Sequence, residues 1–402
     1  MKEEIAEQTA RPNTLGKSIV LVSGPSLVAL IPMAVAPAMP AIAAAFGNSG
    51  DGPFFAQMVM AAPAVMVMLG APIGGMLSDR FGRRIVFLIA LALFVLAGIC
   101  PVLAPSASAL IISRLVLGAA GGAILTSSFA LAGDYIDHAR ERILGFAGAG
   151  AASCAIVGMT LGGRLVDAFG WRGPFVLYLI ALPVLLLSLF VVDGRRSIRS
   201  AASANTQSVR IHIPVYALTC LLTVGLFMPG IQGPFLLRAD GVTSAAAIGM
   251  VLSTYSLTAA CAAASYGTLR RVLSSNSVLA LAAFSLGIGA LVLAAAHGIP
   301  ALLAGCVVTG VGAGLVEPVT VSLVLSRSHP DMRQRSVGLL LSSVFLGQFL
   351  NPVVLSPLRA AFDEQGAFAS VGAIFVGFGI LILCMGVGRQ SELTNTVGSS
   401  QN

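Results

Sequence analysis

The chain has 402 residues, of which 57% are hydrophobic and 10% charged, with a net charge of +7 and a mean hydropathy of +0.94. This composition excludes an ordinary water-soluble globular domain and places the chain in lipid. The basic residues sit in short gaps between apolar runs, so the positive balance points to an anionic leaflet and not to nucleic acid. Residues 1–17 are polar and carry Glu3, Glu4 and Glu7. The apolar run after them is too long for a signal-peptide core, and this end is expected to stay uncleaved. A bilayer core of about 30 Å takes about 20 apolar residues per helix and leaves no water for unpaired backbone groups. The continuous apolar runs therefore read as transmembrane helices, at 18–45, 53–77, 85–104, 107–133, 143–166, 174–193, 213–236, 245–268, 277–296, 300–325, 336–357 and 367–388. Short turns are expected around Pro101 and Pro105 and between His297 and Pro300.

The expected fold is an all-α membrane protein of about 12 transmembrane helices in two pseudo-symmetric six-helix bundles, 1–193 and 213–402, joined by a polar cytoplasmic linker at 194–212. Placing the N-terminus inside puts 18 of the 23 Lys and Arg residues on the cytoplasmic side, against Arg164, Arg172, Arg238 and Arg359 outside and Arg114 within a span. Both termini are then cytoplasmic, in a cell (inner) membrane. Arg140, Arg142 and Gly145 open the fifth span as Arg333, Arg335 and Gly338 open the eleventh, an offset of 193 residues. Gly74 and Gly267, near the ends of the second and eighth spans, share that offset. Two related halves with parallel plans are a transporter design, with the solute site near mid-membrane where they meet.

Individual residues carry the chemistry. Gly74-Gly75-Met76-Leu77-Ser78-Asp79-Arg80-Phe81-Gly82-Arg83-Arg84 lies between the second and third spans. Gly74 allows close helix approach, Gly82 permits a tight turn, Asp79 can satisfy a helix N-terminus or an arginine, and Arg80, Arg83 and Arg84 hold the segment at the membrane surface. Arg114 in the fourth span is a charge in lipid, kept for a purpose or snorkelling to the nearby outer end. Glu317, before Pro318, is the one acid expected deep in a span. Its charged form is disfavoured there, which suits proton exchange, although an acid capping a helix break at Pro318 is the alternative. Gln232, Gln348 and Asn351 suit a cavity lining or interhelical hydrogen bonds. Met58, Met60, Met66, Met68 and Met76 suit core packing, or a surface for varied apolar ligands. The six cysteines fall in separate apolar runs with no metal-ligand spacing, so no metal or cofactor is expected. The single tryptophan, Trp171, reads as an interfacial anchor.

The motif from Gly74 to Arg84 resembles the G-x(4)-D-R-x-G-R-R signature of the major facilitator superfamily, with every fixed position matched. Its counterpart from Gly267 to Asn276 keeps Arg270 and Arg271 but has no acid. Arg114-x(3)-Gly118 with Gly121 and Gly122 resembles the family's arginine-bearing fourth helix. In the fifth span Gly145, Gly158, Gly162 and Gly163 resemble the antiport motif of drug:proton antiporters, with Cys154 in place of a glycine and Met159 in place of the proline. Gly170-Trp171-Arg172-Gly173-Pro174-Phe175 is similar to the start of the sixth span in that branch. The resemblance implies a secondary transporter, not an enzyme, that exports small apolar or cationic compounds against protons by rocking two bundles. Its expected partners are the solute, protons and membrane lipids, and it is expected to be a monomer. A proton-coupled importer of a small metabolite is the alternative, and a polytopic membrane enzyme a more distant one: there is no HExxH, no intramembrane aspartate pair and no Ser-His pair. No soluble domain that would suit a receptor is expected.

Overall fold

Long apolar runs without water must satisfy their backbone internally, and they do so as helices. The computed structural model describes residues 11–47, 51–103, 106–132, 137–192, 212–329 and 332–399. Among them there is no strand. In chain order the helices are α1 (Arg11–Met33), a 3-10 turn (Ala36–Ala38), α2 (Met39–Phe46), α3 (Gly52–Phe81), α4 (Arg83–Leu103), α5 (Ala107–Ala132) and α6 (Asp137–Phe169). A 3-10 segment (Gly170–Ile180) follows, then α7 (Ala181–Val191), α8 (Ile213–Leu226), α9 (Met228–Ile231) and α10 (Gly233–Ala239). The chain continues as α11 (Ala245–Val272), α12 (Ser275–Ala294), α13 (Ile299–Arg327) and α14 (Arg333–Ser399). The linker expected at 194–212 lies, apart from His212, outside the described residues, as do Pro105 and the side chains of Arg140 and Arg142.

Among the described residues ten stretches are long and apolar enough to cross a membrane. Two of them, Ile143–Val191 and Arg335–Cys384, run to 49 and 50 residues, about twice what one crossing takes. Each is interrupted, the first by Gly170 at φ +70° and the second by Asp363 at φ 62°, whose carboxylate accepts the Gly366 amide at 2.8 Å. Reading each as a pair of crossings accounts for the twelve spans expected. The outward faces are apolar: Ile85, Ile89, Leu93 and Leu96 form an exposed stripe along α4, and Leu182, Leu186 and Phe190 one along α7, where Phe190 is 83% exposed. Stripes of that kind belong against lipid, not water. Hydroxyls inside the spans are satisfied by their own helix, as in Ser26 to Val22 O, Thr219 to Val215 O and Thr309 to Gly305 O, all within 2.8 Å.

The chain forms two compact units, Met1–Ala201 with Val242–Ser253, and Ala202–Gly241 with Thr254–Asn402. Helix α11 therefore starts in the first unit and continues in the second. In the first unit the most extensive pairings are α3 with α5 and α1 with α6; in the second, α12 with α13 and with α14. The α3–α5 seam is closed by small residues spaced about a turn apart. A Cβ on Gly118 would come within 2.3 Å of Pro63 O, and one on Gly74 within 2.7 Å of the Ala123 Cα. Backbones this close gain dispersion contacts along their whole length, which is what joins helices in lipid.

Besides the sixth, which is 3-10 to Ile180 and α-helical from Ala181, two expected spans are not continuous helices. The first breaks at Ala36–Ala38 and the seventh between Leu226 and Gly233, and Ala36 and Pro229 are separated by the repeat offset found in the sequence. Prolines cause both breaks by removing amide donors: Pro37 and Pro40 in the first, Pro229 and Pro234 in the seventh. Buried side chains take up carbonyls beside each break. The Tyr178 hydroxyl donates to Ile31 O at 2.7 Å, the Tyr255 hydroxyl donates to Leu226 O, and Asn351 Nδ2 donates to Val224 O at 2.7 Å.

Candidate functional site

The motif around Asp79 is built differently from the loop that the sequence suggests. Gly74 to Phe81 form the last two turns of α3, and the turn is a single residue, Gly82, at φ 93° with its amide on Ser78 O at 3.0 Å. A Cβ at Gly82 would meet nothing within 4 Å, so glycine is required there by the backbone angle alone. Asp79 and Arg80 are exposed, with the Arg80 guanidinium 5.4 Å above the Phe81 ring. Arg84 turns back and donates to Leu189 O at 2.7 Å, tying the start of α4 to the end of α7.

Arg114 does not snorkel. Its side chain is 0% exposed and lies over the rings of Phe175 and Tyr178, at 4.7 and 5.1 Å. Its Nη2 donates to Ala97 O at 3.1 Å and Gly98 O at 3.3 Å, while Nε and Nη1 have no hydrogen-bond partner. Among the described residues no carboxylate pairs with it. Close approach at Gly98, where a Cβ would fall 2.5 Å from the Tyr178 Cβ, lets the ring reach the guanidinium. Sequence reasoning found the arginine but missed its aromatic cage. The signal is present in the segment after Gly170, where Phe175 and Tyr178 are one helical turn apart, but nothing in the sequence pairs these rings with Arg114. Trp171 itself is not alone at an interface: its ring meets Phe46 edge-on at 5.3 Å and carries Arg172 at 4.7 Å.

The glycines of the fifth span divide. Gly158 and Gly162 pack on the chain at Met33 to Ala34, where a Cβ on Gly162 would lie 2.5 Å from Ala34 O, and Gly163 packs equally closely on Ala245 O. Gly145 faces open space, as does its repeat counterpart Gly338. Met159, standing where the motif would have proline, leaves α6 helical through to Phe169.

In the second unit Glu317 lies on α13, ten residues before Arg327. At about 1.5 Å per residue that is roughly 15 Å from the helix end, half the depth of a bilayer core. Glu317 is exposed although Gly312 to Val316 and Val319 to Thr320 are buried. Helix α13 continues through Pro318, and among the described residues nothing hydrogen-bonds the Glu317 carboxylate, so the structure gives it no helix-break capping role. Gln232, Gln348 and Asn351 are all buried within this unit. Gln232 Nε2 donates to Asn351 Oδ1 at 3.0 Å, so two of the three amides meet each other. Of the methionines in α3, Met60 is in the core and Met76 is exposed. No group of three or more potential metal ligands occurs among the described residues.

These features define a multi-pass, all-helical membrane protein with charged groups inside its spans. The chain belongs to the Major Facilitator Superfamily, whose family model matches residues 22–238. It is similar to the methylenomycin A resistance protein of Streptomyces coelicolor, with 31% identity over 48% of this chain and 37% of that protein. It is also similar to the multidrug resistance protein Stp of Mycobacterium tuberculosis (strain CDC 1551 / Oshkosh), with 32% identity over 49% of this chain and 35% of that one. The match thus spans about a third of these relatives' length. In fold it resembles the crystal structure of a D-xylose–proton symporter, with a TM-score of 0.77 and 16% identity over 92% of this chain and 97% of that one.

Proposed function

We propose that this protein is a proton-coupled exporter of small apolar or cationic compounds that works by alternating access, as a monomer in the cell (inner) membrane with both termini cytoplasmic. The observation that carries this reading is Arg114, a fully buried guanidinium with no counter-carboxylate among the described residues. A charge held in a low dielectric at such expense is a functional group by default, and proton relays are among its uses. Glu317, mid-span and exposed on α13, supplies a carboxylate that can take up and release a proton. The breaks in the first and seventh spans are discontinuous helices, a feature that transporters use to form solute sites, and this supports the reading. The names of the two relatives above, resistance to methylenomycin A and to multiple drugs, favour export over uptake.

The test is accumulation of a lipophilic cationic dye in cells overproducing the protein. Lowered accumulation that a protonophore reverses supports proton-driven export. Unchanged dye together with proton-driven uptake of a metabolite would favour the importer. Within this mechanism Asp79 acts on gating at the inner end of α3 and does not touch solute. Asp79→Asn is therefore expected to slow dye efflux several-fold while dye affinity, measured by fluorescence anisotropy on purified protein, stays unchanged. Wild-type efflux in that variant would remove Asp79 from the gate.

A further inference from the structure

Helix α6 ends against the start of α11, and both ends lie within the first unit. Asp167, in the last turn of α6, accepts three hydrogen bonds from that start: from the Ser244 hydroxyl at 2.7 Å and from the amides of Ala245 and Ala246 at 2.9 and 3.0 Å. These amides are among the four that a helix leaves unpaired at its N-terminus, where the helix dipole also favours a negative charge. Helix starts are ordinarily capped by a residue just before them, and α11 has one, since the Ser244 hydroxyl accepts the Ala247 amide at 3.3 Å. The Asp167 carboxylate comes instead from a separate helix, far away in sequence. Below it the backbones touch: a Cβ on Gly163 would lie 2.3 Å from Ala245 O, and one on Gly249 2.2 Å from Met159 O.

We propose that Asp167 is a positioning residue for the transport cycle, a latch that holds the outer end of α6 to the start of α11. The inference rests on the alternating-access reading. By sequence α6 is the fifth span, in the first half, and α11 the eighth, in the second, so opening the outer side must part them. The contact exposes Ser244, so it exchanges its three hydrogen bonds for water when it opens. Glycine contacts on both sides of it add close packing that is lost in the same movement. Asp167 thereby sets how often the outer side opens, without touching solute or proton.

The latch is separable from a plain helix cap. In a cysteine-free protein first shown to keep the parent's melting temperature, spin labels at the exposed positions Phe169 and Thr243 report the separation of the two ends in lipid nanodiscs. Asp167→Ala is expected to raise the long-distance population several-fold. The double variant Asp167→Ala with Ser244→Asp places a carboxylate at the helix start from its own chain, restoring the cap but not the tether. It is expected to recover the melting temperature of the parent while keeping the enlarged long-distance population. An unchanged distance distribution in Asp167→Ala, or a return to the parent distribution in the double variant, would overturn the latch. The distance readout needs neither dye nor proton gradient. A protein that fails the dye test but opens on Asp167→Ala keeps the latch and loses the exporter reading; the reverse result does the opposite.

Discussion

Arg114→Met is expected to abolish gradient-driven efflux while leaving a folded protein at least as thermally stable as the parent. The guanidinium is fully buried, two of its three nitrogens lack hydrogen-bond partners, and no carboxylate among the described residues offsets its charge. Desolvating such a group costs several kcal/mol, and replacing buried charges by apolar groups of like volume is often neutral or stabilising. The contacts that oppose this cost are the rings of Phe175 and Tyr178, worth about 2 kcal/mol when desolvated, and the carbonyls of Ala97 and Gly98. Gly98 O keeps its intrahelical donor, whereas Ala97 O has lost its own because the residue four on is Pro101. Methionine therefore leaves that one carbonyl without a partner, a smaller cost than that of the buried charge. Methionine also fills the aromatic cage, where alanine would leave a cavity and confuse loss of function with loss of fold. Arg114→Lys keeps the charge but cannot present a planar fork to two carbonyls and two rings, and is expected to retain only a small part of the flux. The check pairs melting temperature in detergent with flux into proteoliposomes at matched protein amounts. A stable Arg114→Met protein with full flux would make the residue a structural relic and remove the main support for proton coupling.

How much of this was legible beforehand depends on the kind of signal. Hydropathy located the spans, because a bilayer imposes length and apolarity on every crossing residue by residue. It did not locate the breaks at Ala36–Ala38 and near Pro229, since alanine, methionine and proline are apolar enough to pass in such a run whatever their backbone angles. Arg114 stood out as a lone charge, whereas its partners, Phe175 and Tyr178, were ordinary aromatics in an apolar segment and could be assigned only by proximity. The motif ending at Arg84 was recognisable by spacing, yet its arrangement as helix plus a one-residue turn followed from Gly82, whose positive φ no pattern states. Asp167 was invisible for a further reason. A polar residue at the end of a span reads as the beginning of a loop, and its partners at Ser244 to Ala246 lie on the far side of the linker in sequence. Gln232 and Asn351 were noticed as polar residues, but only the structure brings the two side chains together.

Glu317→Gln is expected to uncouple transport: solute still binds and equilibrates, but a pH gradient no longer drives it uphill. The argument begins with placement. Glu317 is about half a bilayer core from the end of α13, Val316 before it and Val319 and Thr320 after it are buried, and its own side chain is exposed. A carboxylate that only stabilised the Pro318 region would show a partner on the helix, and none is present among the described residues. An acid at that depth can take up and release a proton when water or polar groups reach it, and its ionised form is stabilised only while they do. Glutamine matches the protonated form in shape and keeps a hydrogen-bond donor, but has no proton to release, so the variant is locked in one half of the exchange. If Glu317 were merely structural, the amide would lower the yield of folded protein and leave the driving force unchanged. Proteoliposomes separate these outcomes. With matched amounts of folded protein, the expected result is loss of gradient-dependent accumulation by at least tenfold, the equivalent of about 1.4 kcal/mol, with downhill counterflow of solute preserved. Gradient-driven accumulation at the parent level in Glu317→Gln would end the assignment of Glu317 as proton carrier and leave Arg114 without its proposed counterpart in coupling.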